Sequence, residues 1–358
     1  MENWNRCSRR SILATAGILF STACTSTART GVYNVDLDDP APTLIGETPG
    51  PPVWSPDGET LVWPTERGVE IWDAATRERE LLVADSIAGL PAFSPDGSVV
   101  AYVRSQNPEL ILFNVADHRV EQRIDARSPG TPSETTQVLD IGGPSWSPDG
   151  RQLAFSCWDG AGDEICVLEV ATSEVTQFTR LSEELRTHIA AGDAPNATAN
   201  MGPPAWSPDG ARIAAAAYPE RRGAASGLFV IDVEKGSARR LSDLQPSSVI
   251  VWAANSDAVL FSAMSRDRSD VFQVSLAGGA PTNVTRNLTG VSRNPALLAD
   301  GDIVAATGDG AIVVLNGGRQ SSRIHLAGMV SDFPAARPGR NEISFVATPD
   351  FIQSYRAT

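Results

Sequence analysis

At 358 residues the chain is long enough for one large all-β domain or for two smaller domains. Its formal net charge is −14 at pH 7, so nucleic acid is a poor partner for its surface, and no basic stripe is visible in the sequence. Hydrophobic residues make up 42% of the chain, which is ample for a core, but no apolar run after the N-terminal segment approaches the length of a membrane span.

The N-terminal segment has the layout of an export signal. Basic residues at positions 5–10 precede an apolar run at 12–20, which is too short to cross a bilayer. Small residues at 21–23 then lead to Cys24. We therefore assign residues 1–23 to a signal peptide and residues 24–30 to a short tether.

Two features of this segment resemble known export and anchoring signals. Residues 8–13 resemble a twin-arginine signal, so Sec and twin-arginine export both stay open. Cys24 resembles the cleavage site of bacterial lipoproteins, in which the cysteine is lipidated, although Ser21 stands where that family usually has Leu. The resemblance implies a membrane-anchored protein on the outer side of the cytoplasmic membrane or in the periplasm. Plain export without a lipid is the alternative.

A short repeated segment organises the rest of the chain. An aromatic residue, Ser-Pro-Asp-Gly and an alternating apolar run occur at 54–58, 93–97, 146–150 and 206–210. Proline fixes φ and glycine accepts positive φ, so each copy predicts a strand, a tight turn and a second strand. The aromatic residue that ends the first strand is expected to be buried between repeats.

Three degenerate copies extend the series, with Trp252, Leu297 and Ala336 at the position of the aromatic residue. The seven positions are spaced by 39 to 60 residues. In each repeat a third strand that ends in Asp or Asn follows, as at 227–232, and then a turn and a fourth strand, as at 237–241. A period near 40 with four short strands predicts the blades of a β-propeller.

This pattern resembles the TolB-like β-propeller repeat. The resemblance rests on Pro-x-Trp-Ser-Pro-Asp-Gly, on the apolar strand that follows, and on Leu-Phe-Val-x-Asp at 228–232, and it covers residues 31–358. It implies an all-β domain of four-stranded antiparallel blades. It says less about function, because such propellers serve as scaffolds, binding domains and occasionally enzymes.

The two ends of the domain complement each other. Residues 31–37 match a third strand and 43–45 a fourth, with no first strand before them, whereas few residues follow the copy at Ala336. Together they predict one composite blade, which makes seven blades and closes the ring without free edges. A six-bladed ring is the alternative, if the Ala336 copy is only a C-terminal strand.

Cys157 and Cys166 lie in neighbouring strands of the third repeat. Pairing with Cys157 opposite Cys166 predicts a disulfide in an oxidising compartment, and the alternative is two small apolar core residues. No metal site is expected, because no histidine or third cysteine is near in sequence.

Catalytic motifs are missing from the sequence. It contains no zinc-protease, nucleophile-elbow, phosphate-loop or Cys-x-x-Cys pattern, and the histidines at 118, 188 and 325 fall in turns, insertions or strands. The repeated aspartate of Ser-Pro-Asp-Gly is expected to cap its own turn. We therefore predict no catalytic residue and no cofactor.

The connections between strands are unequal in length. Strands alternate in direction, so the first-to-second and third-to-fourth connections share one face of the disc, and all of these are short. The insertions at 123–143, 178–203, 219–226 and 265–269 all belong to the opposite face. Loops held by a rigid scaffold concentrate binding residues, whereas neutral drift of solvent-exposed loops is the alternative. The predicted binding residues on this face are Trp158, Tyr218, Arg221, Arg222, Arg266 and Arg268.

The sequence thus predicts a monomeric, non-catalytic propeller that binds another protein of the cell envelope, with no nucleic-acid partner. The alternative is a propeller hydrolase or lyase that acts on glycan or peptide in the central funnel, with acidic or histidine side chains from several blades converging there.

Overall fold

The structure is a computed structural model of the full chain. It describes residues 29–47, 50–104, 109–125, 143–158, 163–179, 199–219, 226–247, 249–265, 267–288, 290, 292–326 and 329–349. The predicted signal peptide and Cys24 lie outside these ranges. No helix of the described residues is long and apolar enough to cross a membrane.

The described residues form seven antiparallel sheets, each of which is one blade. The chain begins with two strands that belong to the last blade, β1 (Gly31–Asp36) and β2 (Asp39–Gly46). Blade 1 consists of β3 (Val53–Trp54), β4 (Thr60–Thr65), β5 (Gly68–Asp73) and β6 (Arg79–Val83). Blade 2 consists of β7 (Ile87–Phe93), β8 (Val99–Arg104), β9 (Glu109–Asn114) and β10 (Arg119–Asp125). Blade 3 consists of β11 (Ser145–Trp146), β12 (Gln152–Trp158), β13 (Asp163–Glu169) and β14 (Glu174–Gln177).

Blade 4 differs in that its inner strand is interrupted. It consists of β15 (Ala199–Met201) and β16 (Ala205–Trp206), which both pair with β17 (Arg212–Pro219), and of β18 (Gly227–Asp232) and β19 (Ser237–Ser242). Blade 5 consists of β20 (Val251–Trp252), β21 (Ala258–Ser265), β22 (Arg268–Ser275) and β23 (Thr282–Asn283). Blade 6 consists of β24 (Ser292–Leu297), β25 (Ile303–Thr307), β26 (Ala311–Asn316) and β27 (Arg319–His325). The last strands in the chain are β28 (Met329–Ala336) and β29 (Glu342–Pro349).

The seventh blade is composite, as the sequence predicted. Its strand order is β2-β1-β29-β28, and β1 pairs antiparallel with β29 from Gly31 opposite Ala347 to Asp36 opposite Glu342. The N-terminal strands therefore supply the outer half of the blade and the C-terminal strands the inner half. The seven-bladed prediction is confirmed, and the six-bladed alternative is wrong.

Apolar packing between blades forms the core. Seven clusters of buried residues are present in the described part of the chain, and each joins two neighbouring blades. In β12, Leu153 and Phe155 pack against blade 2, whereas Ala154 packs against blade 4. Alternate residues of a strand point to opposite faces of the sheet. The middle strands of each blade are covered on both faces, so most of their buried residues are apolar.

The Ser-Pro-Asp-Gly segments form the predicted turns. In blade 1 the Gly58 amide donates to the Ser55 carbonyl over 2.9 Å, and the Ser55 hydroxyl donates to the Asp57 carboxylate over 2.5 Å. Gly58 has φ of +72°. A Cβ at Gly58 would also lie 2.7 Å from the Pro338 carbonyl oxygen of blade 7, so a side chain is excluded on two grounds.

The disulfide of blade 3 is present, but its strand register differs from the prediction. Cys157 lies opposite Glu164 and Cys166 opposite Phe155, so the predicted direct pairing of the two cysteines is wrong by two residues. Both side chains face blade 2, and their Cα atoms are 5.8 Å apart. The disulfide therefore links diagonal neighbours on one face of the sheet.

Arg337 connects the closing blade to blade 1. Its Nε donates to the Gly58 carbonyl over 2.6 Å, and its guanidinium lies 4.8 Å from the centre of the Trp54 ring. Its Nη1 also donates to both carboxylate oxygens of Glu342, over 2.9 and 3.0 Å. At the junction of blades 4 and 5 a tryptophan makes the contact, since Trp252 Nε1 donates to the Ala205 carbonyl over 2.8 Å. Arginine takes that role where the chain ends meet.

We predict that Arg337→Ala lowers the free energy of unfolding by about 2 kcal/mol, because Glu342 and the Gly58 carbonyl lose a largely buried partner. Chemical denaturation at pH 7 measures this change. The control is Arg151→Ala, since Arg151 is exposed and its nearest carboxylate oxygen, on Asp149, is 3.9 Å away. That variant should change stability by less than about 0.5 kcal/mol. Equal effects of the two substitutions would show that Arg337 does not join the blades.

Candidate functional site

The two faces of the disc differ in their connections. We call the face with the Ser-Pro-Asp-Gly turns the turn face and the opposite one the loop face. The strands that flank 126–142 and 180–198 end at the loop face, as do those that flank 220–225. These three segments lie outside the described residues. The topology thus assigns these three predicted insertions to one face of the disc. The predicted insertion at 265–269 is wrong, because β21 ends at Ser265 and β22 begins at Arg268, which pair with each other across a two-residue connection.

A cavity of about 830 Å³ runs along the axis of the disc. Its wall comes chiefly from the inner strands of blades 1 to 5 and from the residues that precede them. It extends from Pro56 and Pro95, in the turns, to Tyr218, at the loop-face end of β17. A central cavity of this kind follows from the architecture, because the inner strands are edges that face the axis.

The lining of this cavity is mostly apolar. It includes Trp54, Phe93, Trp146, Met201 and Ile250, and it contains no lysine, arginine or histidine of the described chain. Asp163 is its one carboxylate among the described residues, and that residue is buried. The cavity can therefore hold an apolar group far better than an anion.

Tyr218, one of the predicted binding residues, lies at the cavity wall. A Cβ on Gly202 would lie 2.8 Å from Cε2 of the Tyr218 ring, so the glycine leaves room for the ring there. Tyr218 pairs with Asn200 of β15, and Gly202 lies in the interruption between β15 and β16. Blade 4 thus positions an aromatic side chain at the channel through a local break in its first strand.

The other predicted binding residues have different outcomes. Trp158 is the last residue of β12 and lies opposite Asp163. The prediction that it lies within the loop is therefore wrong. Arg221, Arg222 and Arg266 lie outside the described residues. Their role in binding stays a prediction.

Arg268 braces the loop face of blade 5. Its Nε donates to the Asp270 carboxylate over 3.0 Å, and its Nη1 donates to the Leu288 carbonyl over 3.0 Å. Asp270 also accepts from the Thr285 hydroxyl over 3.2 Å. These bonds hold the segment that follows β23. The Arg268 guanidinium, which was predicted to bind a partner, therefore already has partners within the protein.

Blade 3 has the same contact between a threonine hydroxyl and a carboxylate as blade 5. The Thr179 hydroxyl donates to the Glu164 carboxylate over 2.5 Å and accepts from the Ile165 amide over 2.9 Å. Glu164 and Thr179 are both buried. A buried acid at the start of the third strand and a threonine after the fourth thus fix the exit of the chain in two blades. We interpret these carboxylates as structural.

Two exposed apolar side chains were not predicted. Met264 and Phe333 are the large hydrophobic residues that the described part of the chain exposes, by 58% and 37% respectively. Met264 lies at the loop-face end of β21, and Phe333 lies on the inner strand of blade 7. Phe333 has φ of +49°, which is unusual for a bulky side chain. No repeat motif marks either residue, so neither could be selected from the sequence.

The carboxyl groups whose pKa departs from its ordinary value are, among the described residues, all shifted downward. In the turns of blades 1 to 3, the serine hydroxyl is the main cause that lowers the pKa of Asp57, Asp96 and Asp149. In blade 4 burial opposes the shift, but the Ser207 hydroxyl and a backbone amide still lower the pKa of Asp209. A general acid near neutral pH needs the opposite shift. These aspartates therefore act as turn caps.

Within the described ranges, no cluster of three or more histidine, cysteine or acidic side chains could hold a metal ion.

Burial and the neighbouring Asp85 carboxylate raise the pKa of Tyr102, which keeps that phenol neutral. Its hydroxyl donates to Asp85 over 3.3 Å, and Arg104 Nε donates to the same carboxylate over 3.1 Å. This network ties blade 2 to the connection before it.

The fold and the axial cavity define the chain as a seven-bladed β-propeller. Its structural neighbours include TolB proteins and other β-propellers. A protein described as TolB from Agrobacterium tumefaciens superposes with a TM-score of 0.51 at 16% identity, over 78% of this chain and 98% of the other. The hydrazine synthase of Kuenenia stuttgartiensis superposes with a TM-score of 0.59 at 16% identity, over 84% and 96%. At these identities the likeness concerns the fold.

Two further comparisons concern enzymes. An oligogalacturonate lyase of Vibrio parahaemolyticus superposes with a TM-score of 0.59 at 11% identity, over 90% of this chain and 99% of the other. In sequence, the chain is 30% identical over 142 residues to the uncharacterized peptidase YuxL of Bacillus subtilis. That alignment covers 38% of this chain and 19% of the peptidase, so it spans about a fifth of the relative's length. No family model matches the chain.

We predict that Asp149→Asn lowers the melting temperature at pH 7 by about 2 °C, because the charged acceptor of the Ser147 hydroxyl is lost. The folded state lowers the pKa of Asp149, so its contribution is present above the ordinary value of 3.8 and is lost as the pH falls below it. The difference from wild type should therefore shrink below pH 4 in thermal scans.

The matched control is Asp300→Asn in blade 6. Asp300 has the same turn position and accepts from the Asp302 amide over 3.0 Å, but Leu298 replaces the serine, so no hydroxyl donates to it there. A smaller effect is expected for this variant. Equal effects of both variants at pH 7 would contradict the role of the serine hydroxyl.

Proposed function

We propose that this chain is an exported TolB-like propeller, anchored through a lipidated Cys24, that binds another protein of the cell envelope as a monomer and without catalysis. The observation that carries the proposal is the inequality of the two faces. Short capped turns occupy the turn face, whereas the long connections leave from the loop face. A rigid ring with variable loops on one side is the usual arrangement of a binding scaffold.

The exposed side chains support the same face. Met264 is the most exposed large apolar residue of the described chain, and it stands at the loop-face end of its strand. Exposed apolar groups beside arginine are typical of protein interfaces, where aromatic residues, Met and Arg are enriched. Arg221, Arg222 and Arg266 belong to the connections of this face. In a protein of net charge −14, such a local concentration of arginine favours an acidic partner surface.

The electrostatics of the described carboxylates also support a non-catalytic role. The lowered pKa of the turn aspartates keeps them charged and hydrogen-bonded to their own turns. Glu164 and Asp270 are buried in contacts that hold strand ends. Acid–base catalysis on a glycan would instead require two carboxyl groups that face one substrate with pKa values pushed apart.

A second candidate is a hydrolase or lyase that acts on glycan or peptide in the central channel. The observations that favour it are the shared fold of an oligogalacturonate lyase and the partial identity to a peptidase. Asp163 and Tyr218, at the loop-face end of the cavity, would be the groups nearest to such a substrate. This candidate ranks second because one carboxylate among the described lining residues does not make an acid–base pair.

We predict that Cys24→Ala moves the protein from the membrane fraction to the soluble fraction of lysed cells. A single acyl chain binds a bilayer only marginally, whereas two or more hold it stably, so the loss of the lipidated cysteine should produce a large shift. Immunoblots of fractionated cells measure it, with Cys7→Ala as the control because Cys7 lies within the predicted signal peptide. Wild-type protein found wholly in the soluble fraction would contradict the anchor.

We predict that the double variant Arg221→Ala/Arg222→Ala weakens crosslinking of the propeller to its envelope partner in intact cells. Removing an interface arginine commonly costs about 2 kcal/mol, so the crosslinked band should fall severalfold. The matched control is Arg151→Ala/Arg340→Ala, which removes two exposed arginines from the turn face. Loss of the crosslink in the control alone would show that the turn face binds the partner.

A further inference from the structure

The channel has features that a partner on the loop face does not explain. Each repeat has one residue three positions before the repeat's aromatic position. These residues are Pro51, Leu90, Gly143, Pro203, Val249, Asn294 and Phe333. In blades 2 to 5 this residue lines the axial cavity. The residues that line the cavity come from blades 1 to 5, and Phe333 is not among them. Because the blades repeat around the axis, we infer that the same position in blade 7 directs Phe333 toward the axis from the side that these residues leave open.

Phe333 is held in an unfavourable conformation and is exposed. Its φ of +49° lies in the left-handed region, which favours glycine and asparagine over a bulky residue. The equivalent residue of blade 6 is Asn294, with the same φ of +49°. Phe333 nevertheless exposes 37% of its surface, so it does not gain core burial in return. Strain kept without a packing gain is characteristic of functional positions.

A hydrogen-bonded bulge fixes this position. The Asp332 carboxylate accepts from the Phe333 amide over 2.9 Å, from Asn294 Nδ2 over 2.6 Å and from Arg293 Nε over 2.7 Å. The strand pairing shifts register between Asp332 and Ala335. Residues of two blades thus hold the backbone of Phe333 in this conformation.

The chemistry of the cavity restricts what it can take. Its volume of about 830 Å³ is within the range of sites for small molecules, roughly 300–1,000 Å³. The described lining residues include no cationic side chain, and Asp163 contributes a carboxylate. Burying an anion there would leave its charge without a partner.

We propose that the axial channel binds a small, uncharged and largely apolar molecule, which packs between Leu90 and Pro203 on one wall and Phe333 on the other. Tyr218, at the loop-face end of the channel, is the one described residue that this site shares with the predicted binding residues of the loop face. Phe333 is then a contact residue for the ligand, and its strained backbone is retained for that contact.

A pair of fluorescent probes tests the chemistry. N-Phenyl-1-naphthylamine is neutral, and 8-anilino-1-naphthalenesulfonate has the same ring system with an added sulfonate. Each is titrated into the full exported chain carrying Cys24→Ala, so that no acyl chain or detergent competes for the probe. The neutral probe should bind saturably, and the sulfonate at least about tenfold more weakly, because the site offers its charge no partner. Absence of saturable binding of the neutral probe, or equal affinity of both probes, would overturn the proposal.

Substitutions locate the probe. Phe333→Asn introduces the residue that blade 6 has at this position, so the melting temperature should stay the same or rise. Affinity for the neutral probe should fall about tenfold, because an aromatic contact is lost. Leu90→Ala, across the channel, should weaken binding as well. If Phe333 has only a structural role, Phe333→Asn leaves the affinity for the neutral probe unchanged, and the proposed contact is wrong.

The control is Met264→Asn, which removes an exposed apolar side chain from the loop face and away from the axis. Its affinity for the neutral probe should stay within about twofold of the parent chain. If Met264→Asn weakens binding and Phe333→Asn does not, the probe binds the loop face and the channel site is wrong. Crosslinking to the envelope partner is an independent readout, so failure of either proposal can be told from failure of the other.

Discussion

Closure of the ring is the constraint on which the rest of the structure depends. Each blade is apolar on both faces, so a blade is stable only with a neighbour on each side. The first and last blades obtain theirs because β1 pairs with β29 and because Arg337 reaches across to Gly58 and Trp54. With these contacts blade 7 packs against blade 6 on one side and blade 1 on the other, so the ring is closed at the junction. Once the ring is closed, its inner strands enclose an axial cavity.

The position of the candidate sites follows from this closed ring. In a disc of antiparallel blades, a long insertion between strands two and three, or between blades, can leave by one face only. Variation therefore accumulates on the loop face, while the Ser-Pro-Asp-Gly turns keep the turn face short and capped. The axial cavity is a consequence of ring size. Its apolar lining comes largely from the aromatic residues that end the inner strands and from prolines close to them in sequence. One scaffold thus presents two kinds of surface, a loop-bearing face and a mostly apolar channel.

Features that the repeat marks could be predicted from the sequence, whereas contacts of residues that no repeat position marks could not. Ser55 to Gly58 specify a turn through their own backbone preferences, so each repeat was recognisable. The composite blade was predictable because residues 31–37 repeat the pattern of a third strand. The disulfide register was wrong by two residues, since strand pairing depends on where the hairpin connection ends at Trp158 and Asp163. Arg337 stands at the serine position of its degenerate turn, and nothing in the local pattern indicates that it contacts a residue 279 positions earlier. Phe333 was missed for the same reason, because its conformation comes from a bulge held by two blades.

The central claim is that the N-terminal strands close the ring, and native-state amide hydrogen exchange of the purified chain tests it most directly. In a closed ring the amides of β1, from Val32 to Asp36, exchange only when the propeller unfolds, so their protection should equal that of the partner residues Glu342 to Val346 in β29. Rapid exchange throughout β1, with β29 protected from one side only, would contradict the account.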